Sequence, residues 1–185
     1  MPTQSPRPVV VVSYDPEWSR IFEALREVYL NALGELAITI EHVGSTSVPR
    51  LAARPIIDID VVIQSRDDLP SVVKRLALLG YRHQGDIGVP GREAFARDGA
   101  DDVPRDGSGR SWPAHNLYVC ALSCSELRRH LMFRDWLRGN PAAAAEYGML
   151  KRRLADIYHD DRESYTDAKT DFIEAALKRA SAPKT

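Results

Sequence analysis

The apolar positions of this chain repeat with two periods, and the switches between them mark out its elements. From Glu17 to Leu33, the residues Trp18, Ile21, Phe22, Leu25, Val28 and Tyr29 recur every three or four positions, which predicts a helix with one buried stripe. Asp15-Pro16 supplies an acidic N-cap and a proline at the first position, and Gly34 ends the helix. Val9 to Tyr14 ahead of it reads as extended. Ile38 to Val43 and Ile56 to Ile63 are β-branched runs that predict strands. Leu69 to Leu79 reads as a helix ended by Gly80. Two short strands are expected between Tyr81 and Arg97, turning at Val89-Pro90-Gly91, and a further one from Leu117 to Leu122. Beyond Ser125 the pattern is helical: Leu127 to Leu137, then Asn140-Pro141 to about Tyr158 on the stripe Tyr147, Leu150, Leu154 and Tyr158, and last about Ser164 to Ala180.

The order predicts an α/β (α+β) fold, with a sheet in the front half and an all-helical rear third. A chain of 185 residues that is 44% hydrophobic can bury one good core. One domain is therefore expected over residues 9–180, between tails at 1–8 and 181–185. The polar, turn-rich stretch from Asp98 to Arg110 reads as a mobile surface loop. Its aspartates lack the terminal Glu of a calcium loop.

Charge narrows the functions. With 25 basic against 26 acidic residues, the chain is not built to coat nucleic acid. No apolar run approaches 18 residues and no signal-peptide core opens the chain, so a soluble, cytoplasmic protein without membrane partners is expected. Cys120 and Cys124 are too few for a disulfide framework and match no zinc spacing, and they read as buried small hydrophobes.

The chemistry concentrates in His42-Val43-Gly44-Ser45-Thr46 and Asp58-Ile59-Asp60. Alternate residues of a strand share a face, so the two carboxylates stand roughly 6 to 7 Å apart. Ile56 and Val62 share that face, while Ile57, Ile59, Val61 and Ile63 fill the other, so the strand should be covered on both sides. Two anions held there repel by about 3 kcal/mol at an effective dielectric near 20. A bound Mg²⁺ or Mn²⁺ would remove that repulsion, since hard cations take carboxylate oxygens. Backbone N–H groups of the Gly44-Ser45-Thr46 turn form an anion site. The spacing thus points to a phosphorylated ligand held by a divalent metal.

The run HVGSTSVPRLAARPIIDIDVVI resembles the signature of GrpB-like proteins, members of the nucleotidyltransferase-like superfamily. HNLYVC, HLMFRDWLRGNPAAAAEYGMLKRRLA and DRESYTDAKTDFI extend the resemblance from about Val10 to Ala176. It implies a nucleotidyltransferase-like mixed sheet, five-stranded or similar, flanked by helices. It also implies that Gly44 and Ser45 contact nucleotide phosphates and that Asp58 and Asp60 are the metal and catalytic acids. An NTP would then donate a nucleotidyl group to an unknown hydroxyl acceptor. The family departs from this in some members, fused to dephospho-CoA kinase and described as accessory modules, and this chain departs too. The superfamily's third carboxylate belongs on a later strand, and His115 to Cys120 carries no acid; His115, or Asn116 with Tyr118, stands there instead. Glu93 on a neighbouring strand is the substitute candidate, and His115 a candidate ligand or base. A non-catalytic nucleotide-binding module is the rival reading.

Further cations complete the candidate list. Arg54 precedes Pro55, which biases it to an extended conformation near the acids. Its roles are balancing the acids or gripping a phosphate, against a surface salt bridge. Lys169 lies four residues after Tyr165 and three before Phe172, within the apolar face of the last helix. It either snorkels to solvent or aims at an internal anion. Lys151, beside the Tyr147-Leu150-Leu154 stripe, is placed similarly. His42 reads as structural.

Overall fold

A computed structural model describes residues 8–182. The tails expected at 1–8 and 181–185 fall outside that range except for Pro8, Ser181 and Ala182.

The amphipathic first helix forms as α1, Glu17–Leu33, and buries Trp18, Phe22, Leu25, Tyr29 and Leu33. It ends where Gly34 turns to φ +56°. Strand β1, Thr39–Val43, follows and runs antiparallel to β2, Ile57–Ile63. Then come α2 (Leu69–Leu78), β3 (Arg82–Gly85), β4 (Arg92–Ala96) and β5 (His115–Ala121). The strands make one mixed sheet in the order β1-β2-β5-β4-β3, in which β2 and β5 are parallel and every other pair antiparallel. The rear third is helical: α3 (Ser125–Gly139), α4 (Pro141–Ile157), α5 (Arg162–Asp167) and α6 (Thr170–Ala180).

Alternation along β2 sorts the molecule into layers. Ile57, Ile59, Val61 and Ile63 join Leu117 and Val119 of β5 and Phe95 of β4 in a core under α1 and α2. The opposite face carries Val62 and Cys120, packed with Cys124 and Leu127 of α3. Both cysteines are buried and unpaired. Farther along, Val48 and Leu51 pack with Leu137, Ala144 and Tyr147 and so bind the rear helices to the turn after β1. No helix among the described residues is long and apolar enough to cross a membrane.

Two expectations need correction. The last helix is not continuous from Ser164: α5 stops at Asp167 and α6 restarts at Thr170, with Lys169 at the N-cap of the second. The stretch from Asp98 to Arg110 is tied to the body. Val103 is fully buried in the main core beside Trp112, the Arg105 amide donates to Leu79 O at 2.8 Å, and Trp112 Nε1 donates to Pro104 O at 2.9 Å. Two apolar anchors therefore outweigh a polar composition. They also hold the loop on the α1/α2 side of the sheet, away from the aspartate face.

Candidate functional site

Antiparallel pairing sets Val43, the last residue of β1, opposite Asp58 of β2. The chain then turns at Gly44, where φ is +68°. A Cβ at this position would overlap the Asp58 carboxylate, so glycine is required both by the backbone and by the close approach. A single 3₁₀ turn, Ser45–Ser47, follows. Ser47 Oγ donates to Gly44 O at 2.6 Å, Thr46 Oγ1 donates to Ile56 O at 3.3 Å, and Arg138 of α3 donates to Ser47 O at 2.8 Å. His42 braces the turn from below. Its Nε2 lies 2.9 Å from Thr46 Oγ1 and its ring stacks on Phe22. Burial, with Arg138 and Arg134 nearby, lowers His42 to about 3, so the ring is neutral.

The two aspartates share a face but not an environment. Asp58 Oδ1 accepts from Asn116 Nδ2 of β5 at 2.7 Å. Burial raises its carboxyl above the ordinary value, with Asn116 and Arg54 opposing the shift. Asp60 is completely buried. Its Oδ2 lies 2.6 Å from Nδ1 of His130 on α3, while Oδ1 is buried with no hydrogen-bond partner among the described residues. His130 Nε2 meets Glu126 at 3.3 Å. Burial works against a charged imidazole here, but the Asp60 and Glu126 hydrogen bonds prevail and lift it to about 9. Glu41, paired with Asp60 across the sheet, is held by Arg134 at 2.7 Å.

A cavity of about 190 Å³ opens where the turn, β2 and the rear helices meet. Gly44, Ser45, Thr46, Arg54, Asp58, Lys151 and Lys169 all line it. The structure thus gathers seven residues that are scattered over more than a hundred positions of sequence. Lys151 is 2% exposed, and its Nζ stands 4.7 Å over the Tyr147 ring with no hydrogen-bond partner among the described residues. Burial, then Lys169 and Arg54, push it well below its ordinary 10.5. Lys169 lies 4.4 Å over the Tyr165 ring, and burial with Arg54 lowers it to about 8. The Arg54 guanidinium also stands over the Tyr165 ring, at 5.8 Å. Three basic side chains therefore face one carboxylate, Asp58. Phe133 and Ile173 add an apolar wall.

Three candidates fall elsewhere. Asp60 does not line the cavity; it sits beneath His130. Glu93 pairs with Val119 of β5, whose partner on β2 is Val61, so it projects from the opposite face of the sheet. There its carboxylate holds Arg66 at 2.8 Å and His83 at 2.7 Å. Glu93 is thus no substitute for the third carboxylate. His115 pairs with Ile57 and likewise faces away. It hydrogen-bonds Tyr81 and the Pro113 carbonyl. Burial lowers it to about 4, with Arg97 adding to the effect. Among the described residues no three His, Cys, Asp or Glu side chains converge as a metal site.

Sequence alone does not single out His130. Its only signal was Glu126 four residues earlier, a polar pair on one helix face that reads equally well as solvated. Tyr165, which walls the cavity, reads in sequence as part of the apolar face of the last helix, and Phe133 carries no signal beyond its place in the Leu127–Leu137 helix.

Comparison with known proteins bears on this site. The family model described as GrpB protein matches residues 8–179. The crystal structure of conserved protein GrpB from Enterococcus faecalis superposes with a TM-score of 0.77 at 33% identity, covering 92% of this chain and 96% of that one. A protein of Halalkalibacterium halodurans named UPF0157 protein BH1888 is 36% identical over 94% of this chain and 83% of its own length. Dephospho-CoA kinase of Mycolicibacterium paratuberculosis is 26% identical over 94% of this chain, which spans 46% of that protein. The chain likewise spans 48% of the Bacillus subtilis relative named UPF0157 protein YqkA. Over nearly all of its length, this chain belongs to the GrpB protein family.

Proposed function

We propose that the cavity binds a nucleoside triphosphate through its phosphates, together with Mg²⁺ or Mn²⁺ on Asp58 and Asp60. The convergence of Arg54, Lys151 and Lys169 on one small cavity, opposite the Gly44-Ser45-Thr46 turn, carries this reading. A cavity with three basic side chains and one carboxylate suits a polyanion. The donors suit the metal as well: Asp60 Oδ1 is buried without a partner, and Asn116 engages only one oxygen of Asp58. When bound, the cation would neutralise phosphate oxygens beside the two acids. The chain's own groups do the rest. Arg54, Lys151 and Lys169 offer donors to the phosphates, and the turn offers backbone N–H groups. Phe133 and Ile173 lie against the apolar part of the nucleotide.

Two uses of this site follow. In the first, a hydroxyl acceptor attacks the α-phosphorus and pyrophosphate leaves, a nucleotidyl transfer. In the second, the nucleotide is held without reaction and the domain serves as an accessory module. Asn116 favours the second, because it bonds Asp58 from the adjacent strand, where an acid would complete a metal triad.

Calorimetric titration of the four NTPs with Mg²⁺, for wild type and Asp58→Asn, tests the reading. Micromolar binding that needs Mg²⁺ and is lost in the variant is expected. Absence of binding for every NTP sinks it. Pyrophosphate release across a panel of hydroxyl acceptors separates transfer from storage.

A further inference from the structure

Lys151 sits in a position that suits an amine better than an ammonium ion. Its Nζ is buried in α4 with no hydrogen-bond partner among the described residues, although it lines the cavity. The groups around it offer little relief. Lys169 reaches in from the start of α6 and Arg54 from the segment before β2, and both repel a third positive charge. Asp58 on β2 attracts it but forms no ion pair with it, and its carboxylate is already held by Asn116. Arg152, the next residue, turns away to Ser13 Oγ at 3.1 Å. Tyr147 and Tyr165 present rings, and burial raises both phenols, so they stay neutral. A desolvated ammonium without an acceptor, beside two other cations, gives up its proton. The downward shift of Lys151 agrees with that geometry.

We propose that Lys151 is an uncharged amine before ligand binds and takes a proton from solvent as a polyphosphate enters the cavity, so that anion binding and proton uptake are one linked event. The proposal rests on the reading that the cavity receives phosphates. It adds how the site stays stable without a ligand and how it selects among anions. As a neutral amine, Lys151 avoids burying an unpaired charge in the free protein. Incoming phosphate oxygens bring both the acceptors and the negative charge that make the ammonium form favourable. A singly charged anion supplies little of this. A di- or triphosphate end meets Lys151, Lys169 and Arg54 together.

The measurement is a proton count by calorimetry at pH 7.0. Mg-ATP and, separately, inorganic tripolyphosphate are titrated in buffers of differing ionisation enthalpy, and the slope of observed heat against that enthalpy gives protons taken up. At this pH Lys169, at about 8, and His130, at about 9, are already largely charged. Protons that the phosphates lose beside cations are lost with either protein, so the difference in uptake between wild type and Lys151→Met reports Lys151. The expected result is about one proton more per ligand for wild type than for the variant. The Lys151→Met variant is expected to bind at least about tenfold more weakly. Equal slopes in the two proteins, with ligand bound, overturn the proposal and leave the nucleotide reading standing. Tripolyphosphate binding with proton uptake but no ATP binding removes the nucleotide and keeps the proton link. Failure of both ligands to bind removes both.

Discussion

His130 Nδ1 lies 2.6 Å from Asp60 Oδ2, so the fully buried acid of the D-x-D pair is held by a helix seventy residues away in sequence. The contact makes the two aspartates unequal. Asp58 faces the cavity, whereas Asp60 is anchored from behind with one oxygen left free. His130 in turn is kept charged by Asp60 and Glu126.

That charge sets a pH dependence of stability. In the folded protein His130 is raised from 6.5 to about 9. Its contribution is therefore complete below 6.5 and is lost as pH rises through 9. Urea unfolding in EDTA is expected to show the stability gap between wild type and His130→Ala closing by up to about 3 kcal/mol between pH 6.5 and 9.5. His130→Ala should be less stable at pH 6.5 by roughly 3 kcal/mol, because Asp60 is left buried without its partner. Lys151 and Lys169, both depressed in the folded protein, add the same rising slope to each profile, so the gap alone reports His130. A parallel slope in the two proteins would show that the titrating group lies elsewhere.

Gly44 and Asp58 are coupled by space. Gly44→Ala places a methyl group onto the Asp58 carboxylate at a backbone angle that alanine tolerates poorly. A cost of about 2 kcal/mol or more is expected, with loss of nucleotide binding. In the double variant Gly44→Ala/Asp58→Ala the stability loss should be less than the sum of the single losses. Additivity within error would mean that the turn relaxes without touching Asp58.

Asn116→Asp tests the missing acid. The new carboxylate would sit beside Asp58 on the neighbouring strand. Mn²⁺ affinity, read by electron paramagnetic resonance, should strengthen at least about tenfold. Without metal the variant should lose about 1–3 kcal/mol, through lost hydrogen bonding and like-charge repulsion. Unchanged Mn²⁺ affinity would mean that the cation does not sit between these strands.

Lys151→Met should stabilise the fold while it disables the site. Removing a buried, unpartnered amine for a methyl thioether of similar reach is expected to contribute about 1–3 kcal/mol. Thermal unfolding of the ligand-free proteins decides it. A fall in midpoint would mean that Lys151 makes a favourable contact in the free protein.

Val103→Ala should cost about 1–2 kcal/mol, since Val103 anchors the loop and is fully buried in the main core. Nucleotide affinity should stay unchanged, because the loop lies across the sheet from the cavity. A change in affinity would contradict that separation.

Much of this molecule was legible in one dimension. The helical stripe of α1, the β-branched run of β2 and the caps at Pro16 and Pro141 are local signals, written in spacing and propensity. So was the coupling of Gly44-Ser45-Thr46 to Asp58, because both lie on consecutive strands joined by a short connection. Lys151 and Lys169 stood out as basic residues on apolar stripes, a local conflict that snorkelling to solvent or an internal anion can resolve. The break at Ala168–Lys169 carried no such signal, because its residues suit a continuous helix.

What pairs across the sheet was beyond the sequence. Glu93 and Asn116 both lie on strands near the acids, and only register decides between them. Glu93 aligns with Val61 and is turned away; Asn116 aligns with Asp58 and meets it. One residue of slip reverses every side chain of a strand, and register is fixed by the packing of both faces at once. The same holds for His130, whose helix could present any of several faces until its apolar residues docked against Val62 and Cys120. The sequence by itself determined the elements, the turn and the D-x-D strand, because those follow from period and backbone preference. The tertiary structure alone decided which acid faces the cavity, which is locked by a histidine and which cations converge, because these depend on contacts between segments that local patterns do not relate.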